Sequence, residues 1–211
     1  GSGGGGAEGK VAVAVVDLRS NAGGVLDEAL KFCALFAKPR RRDSDFLGVF
    51  EFRDETVPVI RDLKKTISQL LEDRGIPRPL RRRADELRDV PIVVLVDGLS
   101  ASAAELVAVI LRDNCRGIIV GENSRTYGKS TIQAVVEVVG GGGDALAVTV
   151  GRFRAPRGEV IESGEGVRVQ ARWKGWGKVD PEGIVGELGR QEVFAKARRV
   201  VKMCGERAEA R

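Results

Sequence analysis

The chain has 211 residues, 43% hydrophobic but only 5% aromatic, enough for one domain whose core is mostly Val, Leu, Ile and Ala. Its 35 basic and 30 acidic residues leave a net charge of +5, mixed along most of the sequence. Histidine is absent, which excludes Ser-His-Asp and Cys-His mechanisms, and no apolar run reaches the length of about 18 residues that reads as a membrane-spanning helix.

The first nine residues, GSGGGGAEG, read as a flexible linker or tag. Lys10 to Leu18, KVAVAVVDL, is a Val-rich run of the kind found in strands buried on both faces. It stops at the turn cluster SNAGG. VLDEALKFCALFAK then sets Leu26, Leu30, Cys33 and Ala37 on one helical stripe, with Pro39 past its end. Residues 40–89 read as an expanded insertion. In it DFLGVFEF suits a strand or edge hairpin, and VIRDLKKTISQLLEDRG an amphipathic helix ending at Gly75.

Strand character returns in PIVVLVD (Pro91 to Asp97), followed by the small-residue turn GLSAS and a helix over AAELVAVILRDN. RGIIVGE makes a third strand. TIQAVVEVV and DALAVTVGRFRA flank Gly140–Gly143 as a hairpin. LGRQEVFAKARRVVKM reads as a terminal helix, with a core ending near residue 205 and a tail over 206–211. Strands alternating with helices, then a hairpin, predict an α/β domain.

Three segments carry candidate chemistry. DLRSNAGG (Asp17 to Gly24) ends a buried strand and opens a helix. Its paired glycines suit a tight turn, and their N–H groups suit an anion or a developing oxyanion. In SASAAE, Ser102 and Glu105 fit a capping box. The same position, at a helix N-terminus, also suits a nucleophilic serine. GENSRTYGKS (Gly121 to Ser130) invites comparison with a phosphate loop. However, Asn123 stands where that motif needs glycine, and the following residues are strand-like where it needs a helix. Lys129 reads either as a solvated lysine or as a general base made neutral by desolvation, with Gln133 near enough to orient it.

These elements, in this order, resemble the tail-specific, or C-terminal-processing, serine peptidases. The resemblance rests on DLRSNAGG, SASAAE, GE followed by YGKSTIQ, and APRG, over about Lys10 to Leu188. It implies a ClpP/crotonase-like spiral of ββα units. It also implies Ser102 as nucleophile, Lys129 as general base, Gln133 as the residue orienting the lysine, and an oxyanion hole from Ala103 with Gly23 and Gly24. Asp113 matches an acidic position near the family's site and is given a supporting role. A protein or peptide substrate, no cofactor or metal, and the bacterial periplasm or chloroplast thylakoid lumen follow from the resemblance. Three departures stand out. The loop from Glu122 to Lys129 is two residues longer than the family pattern, and the segment from Arg40 to Asp89 is expanded. The family's PDZ module, with the strand and helix that normally precede DLR-x-N, has no counterpart within these 211 residues. The alternative is a non-catalytic binding module, or an inactive fragment, on the same fold.

The arginine clusters Arg40–Arg42 and Arg81–Arg83 read as solvated loops or as peripheral contacts to an anionic membrane surface. No aromatic residues are interleaved with them, so nucleic acid is not expected as a partner. Cys33, Cys115 and Cys204 form an odd, widely spaced set, in which no disulfide framework or zinc spacing is expected. Oligomeric state is left open.

Overall fold

The computed structural model describes residues 13–36, 47–52, 56–59, 86–138, 143–173, 181–190 and 192–209. The helix expected within 60–75 and both arginine clusters lie outside them. Among the described residues no helix is long and apolar enough to cross a membrane.

Four strands form a parallel sheet: β1 (Ala14–Asp17), β4 (Ile92–Val96), β5 (Gly117–Gly121) and the short β8 (Ala171–Arg172), in the order β1-β4-β5-β8. Every residue of β4 and β5 is buried, as their unbroken Val and Ile runs require in a sheet covered on both faces. On one face Ile92, Val94 and Val96 pack with helices α1 (Leu26–Phe36) and α2 (Ala103–Asp113). On the other, Val93, Leu95, Ile118 and Val120 pack with Trp173 and with α3 (Pro181–Arg190) and α4 (Val193–Glu209). Period-two alternation along the strands thus feeds two cores.

A second, antiparallel sheet has the order β3-β2-β7-β6, from β2 (Gly48–Phe52), β3 (Thr56–Val59), β6 (Thr131–Glu137) and β7 (Ala145–Arg154). The expected hairpin strands on either side of residues 140–143 are β6 and β7, and DFLGVFEF, read as a strand or an edge hairpin, supplies the single strand β2, which pairs with β3 beyond it. Glu51 of β2 accepts from Arg152 at 2.6 Å and Arg154 at 2.5 Å of β7, so part of the 40–89 segment belongs to this sheet. Phe153 carries it into the α1/α2 core, edge-on to Phe50 at 5.9 Å.

Two expectations are corrected. Cys115, just past α2, and Cys204, on α4, form a disulfide. Their separation of 89 residues hid a pairing that is made only when α4 docks beside the end of α2. The terminal helix is two helices, α3 and α4, broken at Glu192, whose φ of 56° ends the helical path. α4 also runs on to Glu209, past the boundary expected at 205.

Candidate active site

β1 and β4 are parallel neighbours, so their carboxyl ends open together at one edge of the sheet, where sites in such folds form. The turns leaving them are tied to each other. Asp97, next after β4, accepts the backbone N–H groups of Ser20 (2.9 Å), Leu99 (3.0 Å) and Ser100 (2.9 Å) and the Ser20 hydroxyl (3.1 Å). Partial burial would raise its pKa, but these donors outweigh it and hold the carboxyl below its ordinary value. The buried Ser100 hydroxyl donates to the Leu18 carbonyl at 2.8 Å, and Ala101 donates its N–H to the Asn21 carbonyl at 2.9 Å.

This lashing fixes the backbone on either side of Ser102. Ser102 has φ 55° and ψ −120°, a conformation that non-glycine residues rarely adopt and that costs about 1–3 kcal/mol. The sharp bend sets it at the N-cap of α2, where the helix dipole favours negative charge. Gly23, at φ 100°, lies directly against it. A Cβ there would sit 2.7 Å from the Ser102 Cβ, 2.9 Å from the Ala101 carbonyl oxygen and 3.0 Å from the Ala103 nitrogen. Only glycine allows this approach. Its own N–H is turned aside to the Asn21 side-chain oxygen at 2.9 Å. Among the described residues the N–H groups of Gly24 and Ala103 make no hydrogen bond. Of the three residues expected to form an oxyanion hole, Gly24 and Ala103 therefore retain available donors, and Gly23 supplies the close contact.

The lysine loop is organised by Glu105, which the sequence marked only as half of a capping box. Glu105 is fully buried in the first turn of α2. Its Oε2 accepts the backbone N–H of Ser102 at 2.9 Å and of Lys129 at 2.8 Å, and its Oε1 accepts the N–H of Gly128 at 2.8 Å and the hydroxyl of Thr126. Four donors thus satisfy a buried carboxylate. The loop is braced from behind by residues 162–168: Thr126 N–H donates to Val167 O at 3.1 Å, and Val167 N–H to Thr126 Oγ1 at 2.7 Å. Gly128 has φ 90° and backbone atoms of Gly166 and Glu162 crowding the space a Cβ would take. After Ser130 the chain enters strand β6, so the helix that a phosphate loop requires is replaced by a strand.

Ser102, Ala103, Gly24, Lys129 and Gln133 line one cavity of about 490 Å³, floored by Leu106, Phe153 and Ile161. A hydroxyl, an amine and two available N–H groups around an apolar hollow are the components of nucleophilic acyl transfer. Asp113 is not part of it. It closes the far end of the 11-residue α2, about 15 Å along the axis from Ser102. There it accepts from Arg112 at 2.7 Å and from the Arg157 N–H at 3.3 Å. Its place is near Cys115 of the disulfide, away from the residues that line the cavity.

The sequence profile of peptidase family S41 matches residues 7–170. The chain belongs to this family. Among curated relatives it is 32% identical over 152 residues to carboxyl-terminal-processing peptidase 1, chloroplastic, of Arabidopsis thaliana, covering 71% of this chain and 25% of that one. It is also 32% identical over 142 residues to the carboxyl-terminal-processing protease of Picosynechococcus, covering 67% and 27%. Among solved structures, a photosystem II D1 C-terminal processing protease superposes with a TM-score of 0.59 at 28% identity, covering 85% of this chain and 39% of that one. The chain therefore spans about a quarter of the length of these curated relatives, and its S41 membership rests on the core that carries Ser102 and Lys129.

Proposed function

We propose that this chain is the proteolytic core of a serine peptidase that cleaves polypeptides from their C-terminal side through a Ser102–Lys129 pair. One observation carries the reading: Ser102 and Lys129 are held by a single carboxylate, Glu105, and face the same cavity. Without histidine in the chain, the lysine is the base at hand.

The Lys129 amine takes the Ser102 hydroxyl proton as Oγ attacks the scissile carbonyl. The resulting oxyanion is received by the N–H groups of Gly24 and Ala103, which make no other hydrogen bond among the described residues. As the tetrahedral species collapses, the Lys129 ammonium returns its proton to the departing amine and the acyl group stays on Oγ. A water molecule, deprotonated by the same amine, then attacks the ester, and its collapse restores Ser102. Gln133 lines the same cavity without bonding the amine here, and in the reacting arrangement its side-chain oxygen takes up the lysine. The Cys115–Cys204 disulfide favours an oxidising compartment, in keeping with periplasm or thylakoid lumen.

The test is hydrolysis of an unfolded polypeptide such as β-casein. Ser102→Ala and Lys129→Ala each remove nearly all cleavage without changing the fold. Full cleavage by either variant contradicts the assignment.

A further inference from the structure

A carboxylate that frames Ser102 and Lys129 needs a reference point outside them. Three of the four donors to Glu105 are backbone N–H groups of Ser102, Gly128 and Lys129, the very segments it has to place. The fourth is a side chain, the hydroxyl of Thr126, which donates to Oε1. Thr126 is buried, so solvent competes little for that proton.

The direction of this bond follows from counting. A hydroxyl has one proton and two lone pairs. Val167 donates its N–H to Thr126 Oγ1 at 2.7 Å and occupies a lone pair, which leaves the proton for Glu105. Thr126 is itself held from behind. Its N–H donates to Val167 O at 3.1 Å, Val169 N–H donates to Ser124 O at 3.1 Å, and Arg125 and Arg168 form an antiparallel bridge between them. Gly166 packs against the same residue at φ 61°. A Cβ there would stand 2.2 Å from the Thr126 carbonyl oxygen and 2.8 Å from Oγ1, so glycine leaves the hydroxyl its place. The β-branched side chain is also stiff at χ1, which suits a fixed peg. The bonds thus run one way, from Val167 N–H through the Thr126 hydroxyl to Glu105, whose other oxygen receives Ser102 and Lys129. Buried bonds in series reinforce one another.

Resting on the peptidase reading, we infer that Thr126 is a positioning residue for the reaction: its hydroxyl orients the Glu105 carboxylate and, through it, aligns Ser102 with Lys129. Without that proton Oε1 keeps only the Gly128 N–H, and the carboxylate turns about its stem, carrying the serine turn and the lysine loop out of alignment. Residues 166–169, none of which lines the reaction cavity, thereby enter the active-site frame.

The experiment pairs a chemical readout with one that does not depend on catalysis. Fluorophosphonate labelling of the full chain gives a rate constant that belongs to the folded molecules and an amplitude that counts them. Thr126→Val slows labelling by at least about tenfold and lowers kcat on β-casein by a similar factor, with KM within about twofold of the parent. Thr126→Ser, which restores the hydroxyl, brings both rates back to within about threefold. Amide hydrogen exchange by NMR speeds up by at least about tenfold at Ser102, Gly128 and Lys129 in Thr126→Val, and not in Thr126→Ser. Should Thr126→Val give no folded fraction, Thr126→Ala takes its place. Loss of the fold in both would overturn the proposal by making Thr126 a scaffold residue. Parental labelling and exchange in the valine variant, equal losses in the serine and valine variants, or a change confined to KM would overturn it as well. The expected exchange pattern in a protein whose unaltered form neither labels nor cleaves would instead overturn the peptidase reading, and the coupling through Thr126 would stand.

Discussion

Ser102 and Lys129 donate their backbone N–H groups to the same oxygen, Oε2 of Glu105, at 2.9 Å and 2.8 Å. Glu105 is thus a positioning residue that sets the serine turn and the lysine loop in one frame. Glu105→Gln keeps the shape but turns an amide NH2 toward backbone donors, leaving at least one unsatisfied. A loss of about 2–4 kcal/mol in urea unfolding is expected, with kcat falling more steeply than KM rises, as expected when both reacting groups lose their alignment. A fall in stability with kcat per folded molecule unchanged would reduce Glu105 to a scaffold role.

The two glycines of the first turn should behave differently. Gly23→Ala drives a Cβ to 2.7 Å from the Ser102 Cβ at φ 100°, and about 2 kcal/mol or more of stability should be lost along with activity. Around Gly24 an added Cβ meets nothing within 4 Å, so Gly24→Ala should unfold within about 0.5 kcal/mol of the parent in denaturant titrations.

Asp97 gives the site an acid-sensitive seam. Its carboxyl is held below the ordinary value of 3.8 by the Ser20, Leu99 and Ser100 donors. The unfolded chain therefore takes up more protons at this group, and its stabilising effect, complete above 3.8, is lost as pH falls through the folded value. Asp97→Asn should cost about 1–2 kcal/mol at neutral pH, at the low end because solvent reaches the group. It should also flatten the acid limb of a stability-against-pH profile. An unchanged limb would show that other carboxyls govern it.

The disulfide closes a separation of 89 residues, and Cys204→Ser should lower stability by about 2–5 kcal/mol. Dithiothreitol should lower the Tm of the parent but not of the variant. Arg157 sits 3.1 Å from the Cys204 sulfur and also binds Asp113, so this corner anchors the end of α2 opposite Ser102.

Much of this was legible in the sequence because it is local. The Val and Ile runs of β4 and β5, the apolar face of α1 and the hairpin β6–β7 follow from composition and periodicity over a few residues. Ser102 and Lys129 stand out as candidates for a different reason: the absence of histidine leaves few ways to activate a serine. What escaped is non-local. Glu105 satisfies a capping box whether or not it also reaches residues 126–129, and only its isolation in the apolar run AAELVAVIL hinted at burial. The choice between Gly23 and Gly24 as donor depends on the Asn21 side chain, and the Cys115–Cys204 pair on where α4 docks. Asp113 shows the converse, since eleven residues along a helix is a short step in sequence and about 15 Å in space.

The measurement that bears most directly on the central claim is active-site labelling by a fluorophosphonate, read by peptide mass spectrometry. The Ser102–Lys129 account predicts a single adduct on Ser102, formed at least about 100-fold more slowly in Lys129→Ala. An adduct elsewhere, or labelling of Ser102 at an undiminished rate without the lysine, would contradict it.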